Sequence, residues 1–140
     1  MLEYTITAAT TGPARATARC KAAELALDTD PAGRADAFNP AELLLTAVAA
    51  CMLKGIERVA PMLKFQWQGA SVHVHGVRQD TPPRMLRIDY ELIVHTEESD
   101  ARLELLLRNV RKYGTISNTV AAAVELTGTV RRTVAATSLV

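Results

Sequence analysis

Cys51 ends all but one residue of the run NPAELLLTAVAACM, positions 39–52, and is the side chain here with the most chemistry to offer. The thiolate is the nucleophilic form of cysteine, and nearby cations favour it. At about 100° per residue, the helix face that carries Cys51 also holds Leu44, Ala47, Val48, Lys54, Gly55 and Arg58. An apolar approach thus gives way within two turns to small and cationic residues. Two readings follow: a reactive thiolate beside positive charge, or a small hydrophobe packed between elements, with Lys54 and Arg58 complementing the negative end of the helix dipole. Glu42 is a different case. With Asn39 as N-cap and Pro40 at the first helical position, Glu42 stands where its carboxylate reaches back to the N-cap N–H, a capping box. It is nine residues from Cys51 and faces away from it, so Glu42 is read as structural.

Other residues offer less. His73 and His75 flank Val74 on one strand face, with His95 on a neighbouring strand, but no acidic or Cys residue clearly joins them, so a solvated sheet face is expected and no metal. Arg78, Arg84 and Arg87 gather around residues 80–83 and read as an exposed, charged edge. Trp67, the only tryptophan, reads as core or interface packing rather than a ligand platform. No cofactor is called for.

The elements that must position these residues come in a strand–helix–strand–helix order. Residues 4–10 and 15–28 suit an N-terminal hairpin separated by Thr11-Gly12-Pro13, and residues 28–38, DTDPAGRADAF, form a polar loop. A helix follows from Asn39 to about Val59, ended by Pro61. Residues 71–77 and 86–95 alternate with period two, across Asp80-Thr81-Pro82-Pro83, as two antiparallel strands. Ser99-Asp100 caps a second helix with Leu103, Leu106, Leu107 and Val110 on one stripe and Gly114 at its close. Residues 117–122 suggest a short helix and residues 124–130 a last strand. The architecture is α+β, an antiparallel sheet with two main helices.

Composition narrows the setting. A chain of 140 residues, 49% hydrophobic, is long enough for one core, so residues 1–140 are read as a single domain. Only 4% of residues are aromatic, which implies tight aliphatic packing. The formal charge is +1 and no basic run exceeds the pairs Arg111-Lys112 and Arg131-Arg132, so the footprint of a nucleic-acid binder is missing. Residues 1–12 lack the pattern of a signal peptide, and the apolar run 43–53 is shorter than the roughly 18 residues a membrane span needs. A cytoplasmic protein is expected, in which Cys20 and Cys51 remain free thiols.

The run NPAELLLTAVAACM resembles the central-helix signature of the OsmC/Ohr family, in which a Pro-x-Glu-Leu-Leu segment leads through small residues to a peroxide-reactive cysteine. A second segment, KYGTISNTV at positions 112–120, resembles the place where peroxidase members carry Cys-Pro-Val-Ser. The resemblance implies an α+β domain intertwined into a homodimer, with long central helices buried between sheets and active sites at the interface. It also implies a mechanism: a thiolate held beside an arginine–glutamate pair takes oxygen from an organic hydroperoxide, and a second cysteine then closes a disulfide. Cys51 matches the attacking cysteine. The resolving cysteine falls at Gly114 and the paired glutamate at Ala41, while Glu42 matches a glutamate common to the wider family. The arginine comes from the preceding loop, where Arg34 is the candidate.

Two functions of different class follow. One is a weak thiol-dependent hydroperoxide reductase acting through Cys51 by a one-cysteine route, with an external thiol, or Cys20, as reductant. The other is a non-catalytic protein of the same fold that binds a small apolar molecule or reports redox state.

Overall fold

A capping box opens the longest helix. The Asn39 N–H donates to Glu42 Oε1 at 2.9 Å and the Glu42 N–H to Asn39 Oδ1 at 2.8 Å, so two backbone donors with no helical acceptor are satisfied reciprocally. In the computed structural model, which describes residues 1–134, this helix is α1, Pro40–Leu63. It follows three short strands, β1 (Thr7–Gly12), β2 (Arg15–Cys20) and β3 (Ala23–Asp28), and precedes β4 (Gly69–Gln79), β5 (Arg84–His95), α2 (Asp100–Tyr113), α3 (Thr115–Ala121) and β6 (Glu125–Thr133). The strands form two three-stranded sheets, β1-β2-β3 and β4-β5-β6. The chain divides into two compact units, Met1–Leu44 and Leu45–Val140.

Three details differ from expectation. Residues 15–28 make two strands rather than one, because Lys21 takes a left-handed backbone, φ 57°, and turns the chain without a Gly or Pro to announce it. Pro61 does not end α1. It falls in the last turn, and the helix closes two residues later where Lys64 takes φ 51° and the Phe65 N–H reaches back to the Ala60 carbonyl while that of Lys64 reaches Pro61. That paired return is a Schellman motif, with Phe65 buried beneath it. Finally, β6 pairs with β5 in parallel, so the second sheet is mixed. The helical connection through α2 and α3 returns the chain to the end where β5 began.

In the C-terminal unit the core follows the sequence periods. Ile88, Tyr90, Leu92 and Val94 of β5 are buried, as are Leu103, Leu106, Leu107 and Val110 of α2 and Val48, Met52, Ile56 and Val59 of α1. Gly55 permits the close approach of α1 to α2, since a Cβ there would meet Val110 Cγ1 at 2.9 Å. The β5–α2 turn is held by polar bonds: Ser99 accepts from the Arg102 N–H at 3.2 Å, and Glu98 accepts from the Gln66 N–H at 2.9 Å and pairs with Arg102. In the N-terminal unit every residue of β1 is exposed. The single-domain expectation spans residues 1–140, of which 135–140 lie outside the described residues.

Candidate active site

Cys51 sits at the rim of the buried stripe of α1, one turn past Val48 and one before Gly55, and is half-buried. Beside it the chain passes from α2 to α3 at Gly114. The Gly114 backbone is extended, φ −82° and ψ 113°, a conformation open to any residue. What is tight at this position is the space beside it. A Cβ built there would lie 3.1 Å from Cys51 Sγ, 3.1 Å from Ser117 Oγ and 3.0 Å from the Val110 carbonyl oxygen. The residues singled out on two separate segments, Cys51 and Gly114, therefore meet.

The same junction holds an unpaired polar group. Ser117 is 1% exposed, and its Oγ has no hydrogen-bond partner among the described residues. An unsatisfied buried hydroxyl costs about 1–3 kcal/mol, which marks the position as something other than packing. The Gly114 N–H donates to Arg111 O at 3.4 Å, so the Val110 carbonyl loses its usual helical donor. Arg58, on the Cys51 face of α1, donates from Nη1 to the Tyr113 carbonyl at 3.1 Å and ties the helix to this turn. Nearby in sequence, Arg111 donates from Nη1 to the Tyr90 hydroxyl at 2.9 Å, with its Nε buried and unpartnered among the described residues.

Arg34 belongs to the N-terminal unit and Cys51 to the C-terminal one. The loop that carries Arg34 is organised by Asp28, buried at 5% exposure, whose two carboxylate oxygens accept from the backbone N–H groups of Asp30 and Arg34, both at 2.9 Å. The Arg34 side chain makes a bidentate pair with Asp36, Nε to Oδ1 at 2.9 Å and Nη2 to Oδ2 at 2.8 Å. The side-chain hydrogen bonds of this pair hold the Asp36 carboxyl below the usual range and raise Arg34 above its own. A carboxylate thus supports Arg34, from Asp36 rather than from position 41.

The remaining candidates are dispersed. His75 Nδ1 lies 3.2 Å from Asp89 Oδ1, and His73 stands across from Glu91 on the same exposed face. Arg78 pairs with Asp80 at 3.2 Å at the exposed end of the β4–β5 hairpin. The Cys20 thiol donates to the Thr5 carbonyl at 3.6 Å. Trp67 lines an open cleft of about 380 Å³ with Leu53, Lys54, Glu57 and Ala70, apart from the Cys51–Gly114 junction. Among the described residues no helix is long and apolar enough to cross a membrane.

Sequence reasoning missed Ser117, Asp28 and Asp36. Ser117 lay within the segment quoted for Gly114, three residues on, and Asp36 lay two residues from Arg34. Both spacings were available as signals.

The sequence pattern of the family described as OsmC-like protein matches residues 33–128. No curated protein matches the sequence. Among solved structures, an OsmC-like protein from Mycoplasma pneumoniae superposes with a TM-score of 0.86 at 23% identity, covering 94% of this chain and 97% of the other. An organic hydroperoxide resistance protein from Legionella pneumophila gives 0.70 at 23% identity, covering 93% and 98%. The organic hydroperoxide resistance protein of Bacillus subtilis gives 0.64 at 16% identity, covering 91% and 98%. These likenesses establish a shared fold.

Proposed function

We propose, from the premise that this chain belongs to the OsmC-like protein family, that it is a thiol-dependent reductase of organic hydroperoxides acting through Cys51. The observation that carries the reading is the meeting of Cys51 and Gly114, where a side chain at 114 would stand 3.1 Å from the sulfur. That is the relation an attacking and a resolving position need. Across a disulfide a Cβ stands about 3 Å from the partner sulfur, a separation set by an S–S bond of about 2.04 Å. Here the second position carries no thiol, which supports a one-cysteine route.

In that route the Cys51 thiolate attacks one oxygen of the hydroperoxide. An S–O bond forms, the O–O bond breaks, and the leaving alkoxide takes up a proton as an alcohol. Sulfur is oxidised by two electrons to a sulfenic acid. An external dithiol then restores it: one thiolate displaces water to give a mixed disulfide, and the second thiol releases Cys51 as the dithiol itself becomes a disulfide. Arg34 is proposed as the cation that favours the thiolate, on the strength of its loop's resemblance. Its bidentate hold on Asp36 fixes the guanidinium plane, as an activating arginine requires.

The assembly proposed is a homodimer of cytoplasmic antioxidant protomers, each a single domain. The family match runs across the boundary between the two units, which supports reading residues 1–140 as one domain. Exposed apolar residues, Leu25, Phe38, Leu53 and Met62 among them, support the need for a covering partner. A sedimentation mass near the monomer value of 15.1 kDa at micromolar concentration overturns the dimer.

The catalytic test is consumption of an organic hydroperoxide in the presence of a dithiol. The wild type should turn over and Cys51→Ser should not. Equal rates for the two, or none for either, leave the fold with a binding role for a small apolar molecule instead.

A further inference from the structure

We propose that Ser117 is a positioning residue for the oxidised form of Cys51: its hydroxyl donates a hydrogen bond to the oxygen the sulfur acquires, beside the side-chain-free Gly114. The inference rests on the hydroperoxide reading of Cys51 and adds to it the fate of the sulfenic acid.

Three heteroatoms converge on Gly114. Cys51 Sγ and Ser117 Oγ each lie 3.1 Å from the point a Cβ would occupy, and the Val110 carbonyl oxygen lies 3.0 Å from it. Ser117 Oγ is fully buried, yet among the described residues it bonds neither to the thiol nor to the backbone. Serines in helices ordinarily return their hydroxyl to a carbonyl one turn back. This one does not, and a hydroxyl withdrawn from water without a partner calls for a reason, which an acceptor acquired on oxidation supplies.

The oxygen added to Cys51 is such an acceptor. It extends from the sulfur by one bond, and in the space beside Gly114 that both atoms border it comes within reach of Ser117 Oγ; a hydroxyl-to-oxyanion bond is short, about 2.5–2.7 Å. In the protonated sulfenic acid the S–O–H hydrogen has an acceptor of its own in the Val110 carbonyl, which lost its helical donor when the Gly114 N–H turned to Arg111. Any larger residue at 114 would crowd this space. Glycine there is thus both the loss of a resolving thiol and the opening that lets an oxygen be held.

The chemical consequence is protection. With no internal thiol to trap it, the sulfenate waits for an external one and meanwhile competes for a second hydroperoxide, whose oxygen would carry it to the sulfinic acid with release of a second alcohol. A donated hydrogen bond withdraws electron density from the sulfenate and slows that second attack, leaving the sulfur open to a reducing thiol.

The test treats wild type, Ser117→Ala and Ser117→Thr with an organic hydroperoxide in the absence of thiol. Sulfenic acid is trapped with a cyclic 1,3-diketone at set times, and sulfinic acid is read by peptide mass. Ser117→Ala should still consume the first equivalent of hydroperoxide but shorten the sulfenic lifetime about tenfold, the worth of one charge-assisted hydrogen bond. Ser117→Thr should restore the lifetime; if it melts early, the alanine variant compared at equal folded fraction decides alone. An unchanged ratio of sulfenic to sulfinic acid in Ser117→Ala overturns the role of Ser117 and leaves the hydroperoxide reading intact. Absence of any oxidation of wild-type Cys51 overturns both.

Discussion

In β5 every second residue from Ile88 to Val94 is buried, whereas along β1 none is, and β1 to β3 together bury only Ala16 and Asp28. The two sheets have the same number of strands but are stabilised by different forces. The C-terminal sheet is one face of an apolar core with α1 and α2. The N-terminal sheet is a ladder of backbone bonds closed by a polar loop around Asp28, with Leu25 and Phe38 at 43% and 45% exposure. The two candidate groups divide along the same line. Cys51 is placed by close packing, and Arg34 by charge and hydrogen bonds.

The largest effect expected is a change of product. Gly114→Cys puts a thiol on a Cβ that would stand at disulfide distance from Cys51, so hydroperoxide should remove two hydrogens from the chain rather than add oxygen. An intact mass that still gains oxygen, with no internal disulfide, would show that the packed junction is not a resolving position. Next, Ile56→Ala in the buried face of α1 should cost about 2–5 kcal/mol in urea unfolding, against about 0.5 kcal/mol for Leu25→Ala in dilute protein. Equal costs would erase the contrast between the sheets, and a Leu25→Ala cost that grows with protein concentration would tie the N-terminal sheet to the dimer.

Asp28→Ala removes an acceptor of two backbone donors and should cost about 2–3 kcal/mol, seen as faster amide exchange at Asp30 and Arg34 with β5 unaffected. The smallest effect concerns pH. The Gln66 N–H, and then Arg102, hold the Glu98 carboxyl below its ordinary value. Its folded form therefore binds fewer protons than its unfolded form, so its contribution is complete above the ordinary glutamate range and lost as pH falls through the depressed value. Glu98→Gln should flatten the acid limb of the urea midpoint slightly; a steeper limb contradicts the assignment.

Much of this was legible in sequence where local chemistry decides. The start of α1 follows from Asn39, Pro40 and Glu42, the start of α2 from Ser99, and the buried face of β5 from strict alternation. What escaped was decided by backbone conformation or by distant parts of the chain. Lys21 and Lys64 adopt left-handed turns that their residue types do not advertise, so the β2–β3 turn and the true end of α1 are not legible in the sequence. The direction of β6 depends on where α2 and α3 return the chain. At the candidate site, Cys51 was visible from its helical company and Gly114 from the family resemblance. Ser117 stood in the same segment, three residues on, but what distinguishes it, a buried hydroxyl without a bond among the described residues, exists only in the folded chain. Asp36 was hidden by a loop whose shape depends on the burial of Asp28.

The most direct measurement is the mass of the chain after brief exposure to an organic hydroperoxide without thiol, with peptides mapped for oxygen. If Cys51 is the reacting group, the chain should gain one to three oxygens at Cys51 before Cys20 changes, with no internal disulfide. Neither cysteine changing, at a dose that oxidises free glutathione, would contradict the account.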